Sequence, residues 1–104
     1  MDVVLTKQAE KLLSILFKEY QSRIKAGQPR SAAKYFAEYY FRESVASKFG
    51  ETIYGLQAEL RQAGLIRMYV HGDLALNDIA IAYAEQKTKK SFISFASFLS
   101  KFIP

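Results

Sequence analysis

The sequence predicts a mainly helical α+β fold, and three observations predict it. Apolar residues recur every three or four positions in separate stretches, the spacing that draws one stripe down a helix. Between Leu65 and Leu76 the period drops to two, the spacing of a half-buried strand pair. Gly27, Gly50 and Gly64 stand where the helical stretches stop, as residues that end helices in a left-handed turn do.

The first helix is read from "TKQAEKLLSILFKEYQSRIKAG". Ala9, Leu12, Leu13, Leu16, Phe17, Tyr20 and Ile24 form its stripe, Thr6 caps its start, and Gly27 followed by Pro29 ends it. Lys7, Lys11, Lys18 and Lys25 mark the opposite face. They read most simply as a solvated face and, alternatively, as a ridge facing phosphates.

The next stretch, "PRSAAKYFAEYYFRESVASKFG", is crowded. Ser31 is the expected N-cap of a short helical turn through Phe36. Tyr35, Phe36, Tyr39, Tyr40 and Phe41 lie too close together for one stripe, so some of them belong in the core. A second short helix is expected from about Tyr40 to Lys48, with Phe41 and Val45 inward.

The third helix, "ETIYGLQAELRQA", places Ile53, Leu56, Leu60 and Ala63 on one face. Glu51, Thr52, Tyr54, Gly55, Gln57, Ala58, Glu59, Arg61 and Gln62 are expected to face outward. In "LIRMYV" Ile66, Met68 and Val70 then alternate with Leu65, Arg67 and Tyr69. His71-Gly72 is the expected tight turn, and Leu74 and Leu76 return on one face. His71, Gly72 and Asp73 are expected to protrude. Asn77 is the expected N-cap of the following helix, with Asp78 suited to its dipole.

Helix, short helix, helix, two-stranded hairpin, helix is the order of a winged helix-turn-helix, here with an added C-terminal helix. The stretch "LQAELRQAGLIRMYVHGDLALNDIAIAYAEQ" also resembles the small winged-helix proteins of the YjcQ type, from low-GC Gram-positive bacteria and their phages. In those proteins a leucine-rich helix ends in Ala-Gly-(Leu/Tyr)-Ile and a wing follows. A Leu-Thr-Asp-x-(Gly/Ala)-Ile-x-Tyr-(Leu/Met)-Glu segment then opens the next helix. Here that segment runs from Leu76 to Glu85, with Asn77 in place of the usual Thr. The connector "AGQPRSAAKYF" is similar too, so the resemblance covers most of 5–86. Its motifs are packing and capping signals, and it implies a fold rather than an activity.

At 104 residues the chain is expected to be one domain, with a winged-helix core over 3–86 and an amphipathic helix over 89–103. Half its residues are hydrophobic, with seven Tyr and eight Phe as large packing units. There is no cysteine, hence no disulfide framework or thiolate metal site. No signal peptide is read in "MDVVLTKQAEK", and no uncharged apolar run approaches the roughly 18 residues of a membrane span. A cytoplasmic protein is expected.

A formal net charge of +5 favours anionic partners through a long-range field. In a winged helix the helix before the hairpin enters the DNA major groove, and double-stranded DNA is therefore the expected partner of a transcription regulator. The residues expected to bind it are Thr52, Tyr54, Gln57, Arg61, Gln62, Arg67 and His71, as donors to base edges or phosphates. Two glutamates and one arginine give the helix from Glu51 to Ala63 a charge of −1, which opposes that reading unless the glutamates turn away. A protein-interaction module without DNA affinity is the alternative.

The tail "KTKKSFISFASFLSKFIP" sets Ser91, Ser94, Ser97 and Ser100 beside a broad apolar face. Phe95, Phe98, Leu99 and Phe102 are its expected interaction residues. Packing on the domain's own core, a homodimer through paired tails, and docking on a membrane surface are the three readings, membrane docking being the least favoured. No enzyme is expected. His71 is the sole histidine, no phosphate loop or nucleophile elbow appears, and Asp73 and Asp78 suit turn and cap duties. No cofactor, metal or small-molecule substrate is predicted.

Overall fold

The structure, a computed structural model, describes residues 5–89, and within that range the side chains of Ala46, Thr88 and Lys89 are left aside. It is mostly helical with a small three-stranded antiparallel sheet. The helix expected over 89–103, with Phe95, Phe98, Leu99 and Phe102, lies outside the described residues apart from its first position. Among the described residues no helix is long and apolar enough to cross a membrane.

Helix α1 runs from Lys7 to Lys25, and its buried residues are Ala9, Leu12, Leu13, Leu16, Phe17 and Tyr20. The Thr6 hydroxyl accepts from the Ala9 N–H at 3.2 Å, supplying the cap that the sequence signals. At the other end the Gln28 N–H reaches Arg23 O and the Gly27 N–H reaches Ile24 O. This paired closure needs the left-handed conformation that Gly27 adopts at φ 93°. Ile24 departs from the expected stripe and is 40% exposed, because the core stops short of the last turn of the helix.

The connector corrects two expectations. Helix α2 (Arg30–Ala33) starts after Pro29, whose carbonyl accepts from Ala32 and Ala33, so Ser31 lies inside the turn rather than capping it. Tyr35 and Phe36 are not helical but form strand β1, paired antiparallel with a strand some forty residues later. A two-residue strand has no period of its own, and only the tertiary pairing makes it extended. The crowded aromatics then sort themselves. Phe36 and Phe41 are buried, Tyr40 is half-buried against both rings, and Tyr35 and Tyr39 face out.

The second helical stretch begins at α3 (Glu38–Tyr40), passes through a π-helical turn at Phe41–Val45 and continues as α4 (Ala46–Phe49). It is longer at both ends than the sequence suggests. The wider turn sets Phe41 and Val45 inward together. Gly50, at φ 62°, breaks the run into a 3₁₀ turn that leads to α5 (Ile53–Gln62). Ile53, Leu56 and Leu60 line the inner side of α5, and the Leu65 N–H closes its end on Leu60 O.

Strands β2 (Ile66–Met68) and β3 (Leu74–Leu76) form the hairpin, and β3 sits between β1 and β2. Its connection differs from a two-residue turn. The Gly72 N–H donates to Tyr69 O, the Tyr69 N–H to Asp73 O, and Gly72 has φ 91°, making Val70-His71-Gly72 a three-residue loop. Val70 therefore stands at the loop tip, 95% exposed, instead of continuing the inward row. Helix α6 (Asp78–Lys89) returns antiparallel to α1: Asp78 meets Arg30 and Lys34 near the end of α1, and Tyr83 and Lys87 both bond Glu10 near its start. Asn77 holds the N-cap position of α6, where its carbonyl accepts from the Ala80 and Ile81 N–H groups, but its side-chain amide turns elsewhere. It donates to Gly64 O at 2.9 Å and ties that start to the end of α5.

Leu74 and Leu76, at 0% and 1% exposure, belong to a single core shared by α1, α5, the sheet and α6. Truncating Leu76 to Ala is expected to cost about 2–5 kcal/mol in denaturant unfolding. His71→Ala, at an exposed loop position, is expected to stay within about 0.5 kcal/mol of the parent. Comparable losses at the two positions would show that the loop tip packs as core.

Candidate nucleic-acid interface

The outer surface of α5 follows from its inner one. With Ile53, Leu56 and Leu60 turned to the core, a 100° step per residue leaves Tyr54, Ala58, Arg61 and Gln62 on the far side. Tyr54 is 75% exposed, and Arg61 and Gln62 are exposed as well. Thr52 is exposed, but its hydroxyl donates to Phe49 O and closes the 3₁₀ turn before α5. Arg67 and His71 are exposed on β2 and at the hairpin loop.

Gln57 departs from expectation. It is only 9% exposed, with its stem packed beside the core face. A glutamine four positions before Arg61 looks polar enough to face out, but a rotation of about 40° from Ile53 places it at the edge of the buried stripe. Gln57 is thus removed from the set of base-contacting candidates.

The two acids on this helix separate. Glu59 turns away from the outer surface and accepts both the Thr6 N–H, at 2.7 Å, and the Thr6 hydroxyl, at 2.9 Å. A carboxylate at the start of α1 also faces the positive end of that helix dipole. Glu51 remains exposed. The objection raised by the −1 charge is therefore reduced, because Glu59 is engaged by Thr6 and Glu51 lies on the turn before α5.

The hairpin does not stand free as the sequence suggests. Asp73 accepts from the Tyr35 hydroxyl and, at 2.7 Å, from the Glu38 N–H, which is an otherwise unpaired donor at the first turn of α3. The Tyr35 hydrogen bond first, then the Glu38 N–H, hold the Asp73 carboxyl below its ordinary value of 3.8, and the same bond raises the Tyr35 phenol. A Cβ at Gly72 would lie 2.9 Å from Glu38 Cγ, so the loop packs against α3 as well. Tyr35 and Tyr69 rings lie 5.6 Å apart, and Tyr35 shares its row across the sheet with Ala75 and Arg67.

Sequence reading missed two positioning residues, Glu59 and Arg23, whereas Asp73 has the turn and cap duties expected of it, with partners the sequence does not name. The Arg23 guanidinium donates to Glu19 at 2.9 Å and to Tyr35 O at 2.6 Å, and lies 4.5 Å from the Phe36 ring centre. It thereby fixes β1 against the end of α1. Only the Glu19–Arg23 spacing of four was visible beforehand. Among the described residues no group of three His, Cys, Asp or Glu could hold a metal ion. What the surface offers is donors: a guanidinium, an amide and a phenol on α5, a second guanidinium on β2, and an imidazole at the loop.

Compared with family models, curated proteins and solved structures, the chain matches none.

The lowered Asp73 sets a direction for acid sensitivity. A carboxyl held below its unfolded value stabilises the fold above that value, and the contribution disappears as pH falls through the folded pKa. Unfolding midpoints measured from about pH 6 down to pH 2 are expected to fall more steeply in the parent than in Asp73→Asn. Parallel profiles would show that the hairpin latch contributes nothing.

Proposed function

We propose that this chain is a winged helix-turn-helix protein that binds double-stranded DNA, a transcription regulator of bacterial or phage origin. In this reading α1, the α3–α4 stretch and α5 are the three helices, β1 the strand between the first two, and β2–β3 the wing. The sheet order is β1–β3–β2, with the connector strand on one edge and the hairpin completing the sheet. Both support the reading, as does the resemblance to the YjcQ-type proteins.

The observation that carries the functional part is the face of α5. Tyr54, Arg61 and Gln62 are exposed together on one side of it, while Glu59 is withdrawn to Thr6. Arg61 and Gln62 address base edges, Tyr54 donates to a phosphate, and Arg67 and His71 approach the backbone beside the groove. The competing reading, a protein-interaction module dimeric through the C-terminal segment, is favoured by the exposed Glu51 on the turn that leads into α5.

Fluorescence anisotropy with generic duplex DNA tests the choice. Affinity is expected to fall steeply between about 50 and 200 mM salt. Removing Arg67 is expected to lower the salt slope by about one unit, whereas removing Arg61 is expected to weaken any preference between duplex sequences. Absence of binding at micromolar protein and low salt would leave the interaction module as the surviving reading.

A further inference from the structure

We infer a second interaction surface, a groove between α1 and α6 that takes a short acidic amphipathic helix from a partner protein. The groove has a volume of about 700 Å³ and draws its walls from α1, α6 and Arg30 of α2. It shares no residue with α5 or the hairpin, and so stands independently of the proposed DNA surface.

Its floor is apolar and its rim is basic. Tyr20 and Ile81 lie beneath, and Ile24, left 40% exposed where α1 ends, supplies an apolar wall in water. Lys18 and Lys25 lie one heptad apart on the rim, and neither has an ion-pair partner among the described residues. Arg30 adds a third cation. It shares one oxygen of Asp78 with Lys34, and at 3.5 Å against 3.2 Å it is the more distant of the two. Against these the groove lining carries one acid, Glu85.

The dimensions set the partner's size. From Phe17 to Lys25 the axis of α1 advances about 12 Å, slightly more than two turns, so a helix of two to three turns covers it. Apolar side chains at i, i+3 or i+4 and i+7 would meet Tyr20, Ile24 and Ile81, with carboxylates on the flanks meeting Lys18, Lys25 and Arg30. Charge also distinguishes the partner from this chain's own apolar C-terminal sequence. Residues 90–104 hold Lys90 and Lys101 and no acid, which mismatches a basic rim.

The test uses the full chain and two synthetic helical peptides of about three turns, identical except that one carries Glu and the other Lys on its flanks. The Glu peptide is expected to bind at least about tenfold more tightly. The doubly reversed variant Lys18→Glu, Lys25→Glu, at two exposed positions, is expected to invert the preference. Methyl resonances of Ile24 and Ile81 should shift on titration while those of Ile53 and Ile66 stay in place. Equal affinities, an unchanged preference in the reversed variant, or shifts centred on α5 would overturn the assignment. So would tighter binding at Ile24 and Ile81 by a peptide of residues 90–104, which would give the groove to the chain itself. DNA affinity plays no part in any of these readouts.

Discussion

Strand β3 is three residues long, and the placement of nearly every other element depends on its being paired on both edges. Tyr35 and Phe36 lie on one side of it, Ile66 to Met68 on the other. Just beyond its last residue the Asn77 N–H reaches Leu65 O, and the Leu76 N–H reaches Lys34 O. Those bonds attach the connector after α1 and the end of α5 to the same short strand. Leu74 and Leu76 point from it into the core, so the backbone satisfaction of the sheet and the burial of its inner face reinforce each other.

Around this centre the chain is held by polar groups placed where it reverses direction. Glu59 holds the start of α1, Arg23 holds β1 to the end of α1, Asp73 holds the hairpin to α3, and Asp78 holds the start of α6 to α2. Most of these partners are backbone N–H or C=O groups that a helix end or strand end leaves unpaired. Glu10, like Asp78, instead receives two side chains, here the Tyr83 hydroxyl and the Lys87 ammonium. Burial first, and the Glu10 carboxylate after it, raise the Tyr83 phenol far above its ordinary range.

These ties also shape the surface. A carboxylate engaged by Thr6 is absent from the outer side of α5, and one engaged by Tyr35 and Glu38 limits how far the hairpin can swing. The result is a scaffold with two separate faces of different character. The α5–hairpin side offers exposed planar and amide donors over a fixed backbone. The α1–α6 side offers a shallow apolar floor under a rim of lysines. A net charge of +5 serves both, since each proposed partner is anionic.

The sequence by itself determined whatever depends on near neighbours. The stripes of α1 and α5, the caps at Thr6 and Gly64, the break at Gly50 and the inward Leu74 and Leu76 all follow from spacing and local backbone preference. Tertiary structure decided the rest. Strand β1 is extended because β3 lies beside it, although Tyr35 and Phe36 sit in a stretch that reads as helical. Gln57 is buried and Ile24 exposed because the core's edge falls across a stripe at one point and stops short of it at another. Val70 faces water because the loop closes over three residues. Asn77 opens α6 through its carbonyl but sends its side-chain amide to the end of α5, and Glu59 and Asp73 find partners 53 and 35 residues away. Hydrophobic period is a property of consecutive residues, whereas a hydrogen bond across such a separation exists only once packing has brought its two ends together.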